Sequence, residues 1–233
     1  MLESGRVYLG HLGPIPLYVH WSFLFLVLMA FGWAPPTSSD GLTQGMLVLA
    51  VLLLGIVLHE LGHGFAARAQ GAFGVTITLW GLGGLCSSVR DPLPRRELLI
   101  VAAGPAVSAA LAWGSGLALS LLSHQAQNTI VSGNHLTILG EFLVISERLN
   151  WMLFIFNVMP IYPLDGGQFT YYLALLITRK HRIAATFSLV LACVGACLFL
   201  WWRTDHFTQF NQNTGVSFFM MAWLLFNAFT HLR

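Results

Sequence analysis

The sequence predicts an all-α polytopic membrane protein with about six transmembrane helices and a small β-hairpin or sheet at the cytoplasmic face. Three observations predict this fold: the composition, the recurrence of long apolar runs, and the distribution of basic residues between the runs. Of the 233 residues, 56% are hydrophobic and only 9% are charged, whereas a soluble domain carries roughly a quarter charged residues. A chain of this length cannot bury so much apolar surface by itself, so it needs a lipid bilayer around it.

Six apolar runs approach the length of about 20 residues that a membrane-spanning helix needs. They cover residues 19–33, 44–67, 98–122, 149–178, 183–202 and 215–231. The first run is short, and the fourth is interrupted. When the runs alternate from a cytoplasmic N-terminus, nine of the 11 lysines and arginines fall on that side, and only Arg148 and Arg203 fall on the other. The positive-inside rule expects such a bias, so both termini are predicted to be cytoplasmic.

The β structure is predicted between the second and third runs. Residues 76–80 are rich in β-branched and aromatic residues, and Gly81, Gly83 and Gly84 follow them, as is typical of a strand and a turn. Residues 6–20 are a further candidate strand, with Gly13, Pro14 and Pro16 as turn residues. Residues 125–141 are predicted to form a solvated connection. Because the chain shows no long linker or repeat, residues 1–233 are expected to form a single domain.

Charge and cysteine usage exclude several other classes. The net charge of +2 and the lack of a basic run argue against nucleic acid as a partner. Cys86, Cys193 and Cys197 are too few for a disulfide framework. The last two share one helix face, where small packing residues are favoured over a metal or redox pair. No cleavable signal peptide is expected.

The second apolar run ends in the sequence HELGH, from His59 to His63. Residues four apart project from one face of a helix, so both imidazoles can reach one metal ion. Glu60 stands beside His59, where it can take a proton from a metal-bound water. The alternative is a polar helix end in water. However, His59 lies roughly 13 Å before Arg68, below the lipid headgroups, where ionisable groups are costly and usually functional. A metal site is therefore favoured.

A third ligand is needed, because a catalytic zinc site normally has three protein ligands. The interrupted fourth run contains NVMPIYPLDGG, in which two prolines break the helix and two glycines let the chain turn. Asp165 of this segment is the candidate ligand, since the other carboxylates besides Glu60 fall at or beyond the interfaces. Alternatively, Asp165 caps the helix that follows, and both roles are compatible. His20 is expected to be a hydrogen-bonded structural residue.

Together, HELGH and the NxxPxxPLDGG segment about a hundred residues later resemble the site-2 protease family of intramembrane zinc metalloproteases. AAGPAVSAA at residues 102–110 is similar to that family's glycine–proline motif, and residues 5–23 resemble the opening of its six-span branch. These matches cover most of the chain from Arg6 to Gly167. Many members carry PDZ or CBS domains, for which 233 residues leave no room, so regulation by those modules is in doubt here.

The resemblance implies a single zinc ion held by His59, His63 and Asp165, with Glu60 as the general base. It also implies that Asn157 supports the substrate near the scissile bond. The region 81–85, with Gly83 and Gly84, is either an edge that pairs with an unwound substrate or a loose turn.

The sequence therefore predicts an intramembrane zinc metalloendopeptidase that hydrolyses peptide bonds of transmembrane substrates with a zinc-activated water. Its expected partners are a single-span membrane protein or a signal-peptide remnant, in a bacterial or archaeal cell membrane. One alternative is a metal transporter, which would need polar groups strung across the membrane. Another is a scaffold with structural zinc, which would need a fourth ligand. The oligomeric state does not follow from the sequence.

Overall fold

A computed structural model describes residues 5–31, 38–125, 138–203 and 212–232. The chain is mostly helical and also has one four-stranded sheet. The helices are α1 (Leu24–Ala30), α2 (Ser39–Ala69), α3 (Pro94–Gln125), α4 (Ile138–Val158), α5 (Asp165–Thr178), α6 (His181–Arg203) and α7 (Gln212–Leu232). The fold class predicted from the sequence is confirmed in this coarse form.

The chain forms two compact units. The first unit comprises Met1–Asp91 and Ala103–Phe154, and it holds the sheet, α1, α2 and most of α3 and α4. The second unit comprises Pro92–Ala102 and Ile155–Arg233, and it holds α5, α6 and α7. The single domain over residues 1–233 stays a prediction.

The sheet has the strand order β1 (Arg6–Leu12), β2 (Ile15–His20), β3 (Phe73–Trp80) and β4 (Gly83–Val89). β1 and β2 are antiparallel, as are β3 and β4. β2 and β3 are parallel, with Leu17 opposite Ile77, so α1 and α2 form the crossover between them. β4 is an edge strand, because β3 is its only neighbour among the strands that the structure describes.

The N-terminal region differs from the sequence prediction in two respects. It supplies two strands instead of one, and Pro16 lies within β2, opposite His11, instead of in the turn. A proline is tolerated there because the parallel ladder to β3 begins only at Leu17. The first predicted span also starts too early, since Val19 and His20 belong to β2 and α1 begins only at Leu24.

Within the part of the chain that the structure describes, three helices are long and apolar enough to cross a membrane: Ser39–Ala69, Pro94–Leu122 and His181–Trp201. They match the second, third and fifth predicted spans, so the chain is a membrane protein of which three spans are supported. Six spans are not confirmed. α1 has only seven residues, Met220–Leu232 in α7 is a shorter apolar helix, and α4 carries Glu141, Glu147 and Arg148.

The predicted interruption of the fourth span is present, because α4 ends at Val158 and α5 begins at Asp165. α4 starts earlier than expected, at Ile138, within the segment predicted to be a solvated connection. Most of that connection, residues 126–137, lies outside the described residues.

Glycines bring α2 close to its neighbours in the first unit. A Cβ atom added at Gly62 would lie 2.8 Å from the carbonyl oxygen of Ala103 in α3, and one at Gly64 would lie 2.8 Å from Cδ1 of Ile15 in β2. The C-terminal half of α2 therefore packs closely against the backbone of α3 and against a side chain of β2.

The second unit has its own core, formed by residues of α6, α7 and the segment between α4 and α5: Ile161, Ala192, Ala196, Met221 and Leu224. Cys193 and Cys197 are exposed, so the packing role predicted for them is wrong. The residues of α6 that are buried in this core are Ala192 and Ala196.

Candidate metal centre

The candidate centre in the first unit is built on two histidines of α2. The Nε2 atoms of His59 and His63 lie 3.2 Å apart, and the ring planes are nearly perpendicular, with centroids 4.9 Å apart. Only 3% of His59 and 8% of His63 is exposed. One turn of helix thus presents two buried imidazoles to the same point, as their spacing predicts.

A serine from α3 orients the first imidazole. Ser108 Oγ lies 2.8 Å from Nδ1 of His59, and both side chains are buried. When Nδ1 is the nitrogen engaged by the hydroxyl, Nε2 remains available to bind a metal, and such a partner fixes both the tautomer and the ring orientation. The sequence analysis missed Ser108, although it lies within the segment that resembles the glycine–proline motif.

The two Nε2 atoms face the backbone of α3 at Gly104. A Cβ atom added there would lie 2.7 Å from Nε2 of His59 and closer still to Nε2 of His63. Since any larger residue would fill the space in front of both imidazoles, Gly104 keeps this space open. The sequence analysis could have singled out Gly104, because it is the glycine of the AAGPAVSAA segment.

This arrangement fits a zinc ion. Zinc–nitrogen bonds of 2.0–2.1 Å in tetrahedral geometry separate two ligand nitrogens by about 3.3 Å. The observed Nε2–Nε2 distance is 3.2 Å, so the pair can accept one ion between its nitrogens without rearrangement. Nitrogen donors of this kind are typical zinc ligands.

Glu60 lies beside the imidazole pair and is also buried, with 7% of its surface exposed. It packs against the first residues of β4, because a Cβ atom added at Gly84 would lie 2.6 Å from its Oε1 atom. Gly83 and Gly84 lie in strand β4, and Gly81 lies in the turn before it; pairing of this edge with a substrate stays a prediction. The first unit thus brings together His59, Glu60, His63 and the beginning of an edge strand.

The buried carboxylate also affects a neighbouring thiol. The pKa of Cys86, on β4, is raised to about 12, mainly by burial and further by the charge of Glu60. A thiol with this pKa stays protonated near neutral pH, so Cys86 is not a reactive cysteine.

Asp165 belongs to the second unit, where it is the first residue of α5. The N-cap position is occupied by Leu164, with no side-chain capping bond, so the interpretation of Asp165 as the capping residue is wrong. Its carboxylate still lies in the first turn, where the helix dipole favours negative charge. Asn157 lies near the end of α4, also within the second unit.

The start of α5 is held firmly within the second unit. The carbonyl oxygen of Gly167 accepts hydrogen bonds from Thr170 Oγ1 (2.9 Å) and Ser188 Oγ (3.3 Å). A Cβ atom added at Gly167 would lie 2.7 Å from the carbonyl oxygen of Ile161, and Ile161 is anchored in the core. The backbone at the start of α5 is therefore held in place within its own unit.

His20 has the structural role that the sequence predicts. Its Nδ1 atom lies 2.7 Å from Ser22 Oγ and accepts a hydrogen bond from the backbone of Ser22. Ser22 Oγ in turn accepts a hydrogen bond from the backbone of Gly81. These bonds join β2 to the turn between β3 and β4.

Comparisons with known proteins agree with this site. The chain is 32% identical, over 71% of its length, to a protein of Synechocystis sp. named as a candidate zinc metalloprotease. It is 31% identical over 69% of its length to the candidate zinc metalloprotease Rip3 of Mycobacterium tuberculosis. It spans 43% and 41% of the lengths of these two relatives. No protein-family model matches the chain.

The fold is shared with a solved structure, the site-2 protease from Methanocaldococcus jannaschii. The TM-score is 0.59 at 22% sequence identity, and the alignment covers 98% of this chain and 95% of the other. A helical membrane fold that presents a buried His-Glu-x-x-His helix defines the class of membrane-embedded zinc metalloproteases. Within that class, the chain belongs to the site-2 protease family.

Proposed function

We propose that this chain is an intramembrane zinc metalloendopeptidase that hydrolyses peptide bonds of transmembrane substrates. The observation that carries the proposal is the buried pair of Nε2 atoms at 3.2 Å, on the helix that also bears a buried Glu60. Buried ionisable groups on a helix that is apolar enough to cross a membrane are usually functional. The relatives are named as candidate zinc metalloproteases, which supports zinc as the metal.

We infer that one zinc ion is held by His59, His63 and Asp165. The donor set supports this, since imidazole nitrogens and a carboxylate oxygen are typical ligands of zinc. Three protein ligands leave a coordination position open, as catalytic zinc sites require. When bound, zinc supplies Lewis acidity, which polarises a carbonyl group and lowers the pKa of a coordinated water.

The general base in this proposal is Glu60. Its carboxylate takes a proton from the attacking water and passes it to the nitrogen of the leaving amine, so that the peptide bond is cleaved with net addition of one water. Burial of Glu60 beside Gly84 excludes bulk solvent from one side of the carboxylate. This contact helps to keep the Glu60 carboxylate in place. Proton transfer requires that the carboxylate stay within hydrogen-bond reach of the attacking water.

The substrate is proposed to bind as an extended strand along β4. The geometry supports this role, because β4 is an edge strand and its second residue, Gly84, contacts Glu60. Edge strands bind extended peptides through backbone hydrogen bonds, and Gly83 has no side chain to obstruct the approach. Asn157 is proposed to support the substrate near the scissile bond. The substrate bound along β4 would be a single-span membrane protein or a signal-peptide remnant.

The proposed location is a bacterial or archaeal cell membrane, with both termini in the cytoplasm. Nine of the 11 basic residues support this orientation through the positive-inside rule. In that orientation the sheet and the active end of α2 face the cytoplasm, from which water reaches the centre.

The direct test incubates the purified protein, in detergent or liposomes, with a tagged single-span substrate, with and without a zinc chelator. We expect cleavage within the transmembrane segment, its loss with the chelator, and its return on adding zinc. A zinc-flux measurement in the same liposomes should give no signal. Zinc flux without cleavage would instead identify a transporter.

A further inference from the structure

A second buried polar group lies inside the first unit, away from the metal-binding imidazoles. It consists of Ser115 on α3 and of Ser146 and Asn150 on α4, and each is at least nine-tenths buried. The two serine hydroxyls lie 2.8 Å apart. Asn150 donates from Nδ2 to the carbonyl oxygen of Ser146 at 2.9 Å and also reaches Ser146 Oγ at 3.3 Å.

One atom of this cluster is unsatisfied. Oδ1 of Asn150 accepts no hydrogen bond from the part of the chain that the structure describes. It faces α2 at Gly55, where an added Cβ atom would lie 3.0 Å from Oδ1. Gly55 stands one helical turn before His59. Leaving a buried acceptor unpaired costs free energy, so such an atom calls for a specific donor.

The position of Oδ1 is fixed by the packing of α4 on α2. Gln44 Nε2 donates to Glu141 Oε2 at 3.1 Å, across a sequence separation of 97 residues. Gly55 of α2 contacts Asn150 of α4 at nearly the same sequence separation. α2 and α4 therefore run parallel and in register between these two contacts. Asn150 therefore cannot turn its amide toward solvent without breaking its bonds to Ser146.

We propose that Asn150, Ser146 and Ser115 bind a buried water molecule between α2, α3 and α4. Water supplies the donor that Oδ1 needs. Of the two hydroxyls, which share one hydrogen bond with each other, one can donate to the water and the other can accept from it. Buried waters typically make about three hydrogen bonds to otherwise unsatisfied polar groups, which is the number this cluster offers. A Ca²⁺ or Mg²⁺ ion fits less well, because such ions need six or more oxygen ligands.

The proposal does not depend on catalysis, and it is tested without an activity measurement. The protein is labelled with ¹⁵N-asparagine and with ¹³C-serine and ¹³C-alanine, and placed in lipid bilayers. Magnetisation transfer from water is then followed by solid-state NMR. We expect the side-chain amide of Asn150 to receive magnetisation several times faster than the methyl group of Ala192, which is fully buried in an apolar core. Equal, slow transfer to both groups would overturn the proposal.

A variant locates the water. Asn150→Leu keeps the volume and removes the acceptor, so transfer to the Cβ atoms of Ser115 and Ser146 should fall to the rate seen at Ala192. Asn227→Leu is the matched control, since the Asn227 side chain donates to the Trp223 carbonyl of its own helix and its replacement should leave the serine signals unchanged. Fast transfer to both serines in Asn150→Leu would show that Asn150 does not hold the water. The wild-type measurement decides the question even if the variant does not fold.

Discussion

Ser108 Oγ lies 2.8 Å from Nδ1 of His59, and this contact directs Nε2 of His59 toward Nε2 of His63. The two groups belong to different helices, so the orientation of the imidazole depends on how α3 packs against α2. The close approach at Gly62 and Ala103 secures that packing. The imidazole pair of the candidate metal centre is thus supported by a neighbouring helix as well as by the HELGH helix itself.

Replacing Ser108 with alanine should weaken zinc binding by about 10–100-fold, the usual effect of losing a partner that orients a metal ligand. Competition of the protein with a fluorescent zinc chelator measures this affinity. Ser120→Ala on the same helix is the control, because Ser120 is exposed and bonds to the carbonyl of Leu117. Equal affinities in Ser108→Ala and Ser120→Ala would show that the hydroxyl does not orient His59.

Gly104→Ala should abolish stoichiometric zinc binding, because its Cβ atom would occupy the space in front of both Nε2 atoms. The zinc content of the purified protein, measured by elemental analysis, tests this. Gly114→Ala makes the same change ten residues along α3, where an added Cβ atom meets nothing within 4 Å, and should retain the ion. A Gly104→Ala protein that carries wild-type zinc would remove Gly104 from the site.

Gly84→Ala should lower the cleavage rate by at least about 100-fold, the contribution of a well-placed general base, while zinc stays bound. The reason is that the methyl group would displace the Glu60 carboxylate and leave the histidines in place. Ser87→Ala, at an exposed position of the same strand, should cleave normally. If Gly84→Ala keeps both zinc and wild-type cleavage, the contact between β4 and Glu60 has no catalytic role.

Cys86 should resist alkylation in the folded protein. Its pKa is raised to about 12 by burial and by Glu60, so the reactive thiolate is scarce at pH 8 and should increase only toward pH 12. The experiment uses a Cys193→Ser and Cys197→Ser protein, in which Cys86 is the remaining thiol, and follows iodoacetamide labelling against pH. Labelling in denaturant should proceed with an ordinary thiol pKa. Rapid labelling of the folded protein at pH 8 would contradict the burial of this thiol.

The local features of the site could be predicted from the sequence. The shared face of His59 and His63 follows from helix periodicity alone, and the prolines and glycines before α5 predict the break that the structure has between Val158 and Asp165. These predictions depend only on residues that are close together in the sequence. They therefore do not require the tertiary fold to be known.

The contacts between elements could not be predicted in this way. Ser108 and Gly104 meet the imidazoles only because α3 folds back onto α2, and nothing local in the sequence specifies that approach. The start of the first predicted span was wrong for a similar reason. Val19 and His20 lie at the edge of an apolar run, so hydropathy assigned them to a helix. In the structure they pair with residues of β1, and these distant partners cannot be recognised from local hydropathy.

The most direct test of the central claim measures zinc content and peptide-bond cleavage together in four proteins: wild type, Glu60→Gln, Asp165→Asn and the control Asp91→Asn. The account predicts that Glu60→Gln keeps its zinc and loses cleavage, that Asp165→Asn loses both, and that Asp91→Asn keeps both. Wild-type zinc and cleavage in Asp165→Asn, or sustained cleavage in Glu60→Gln, would contradict it.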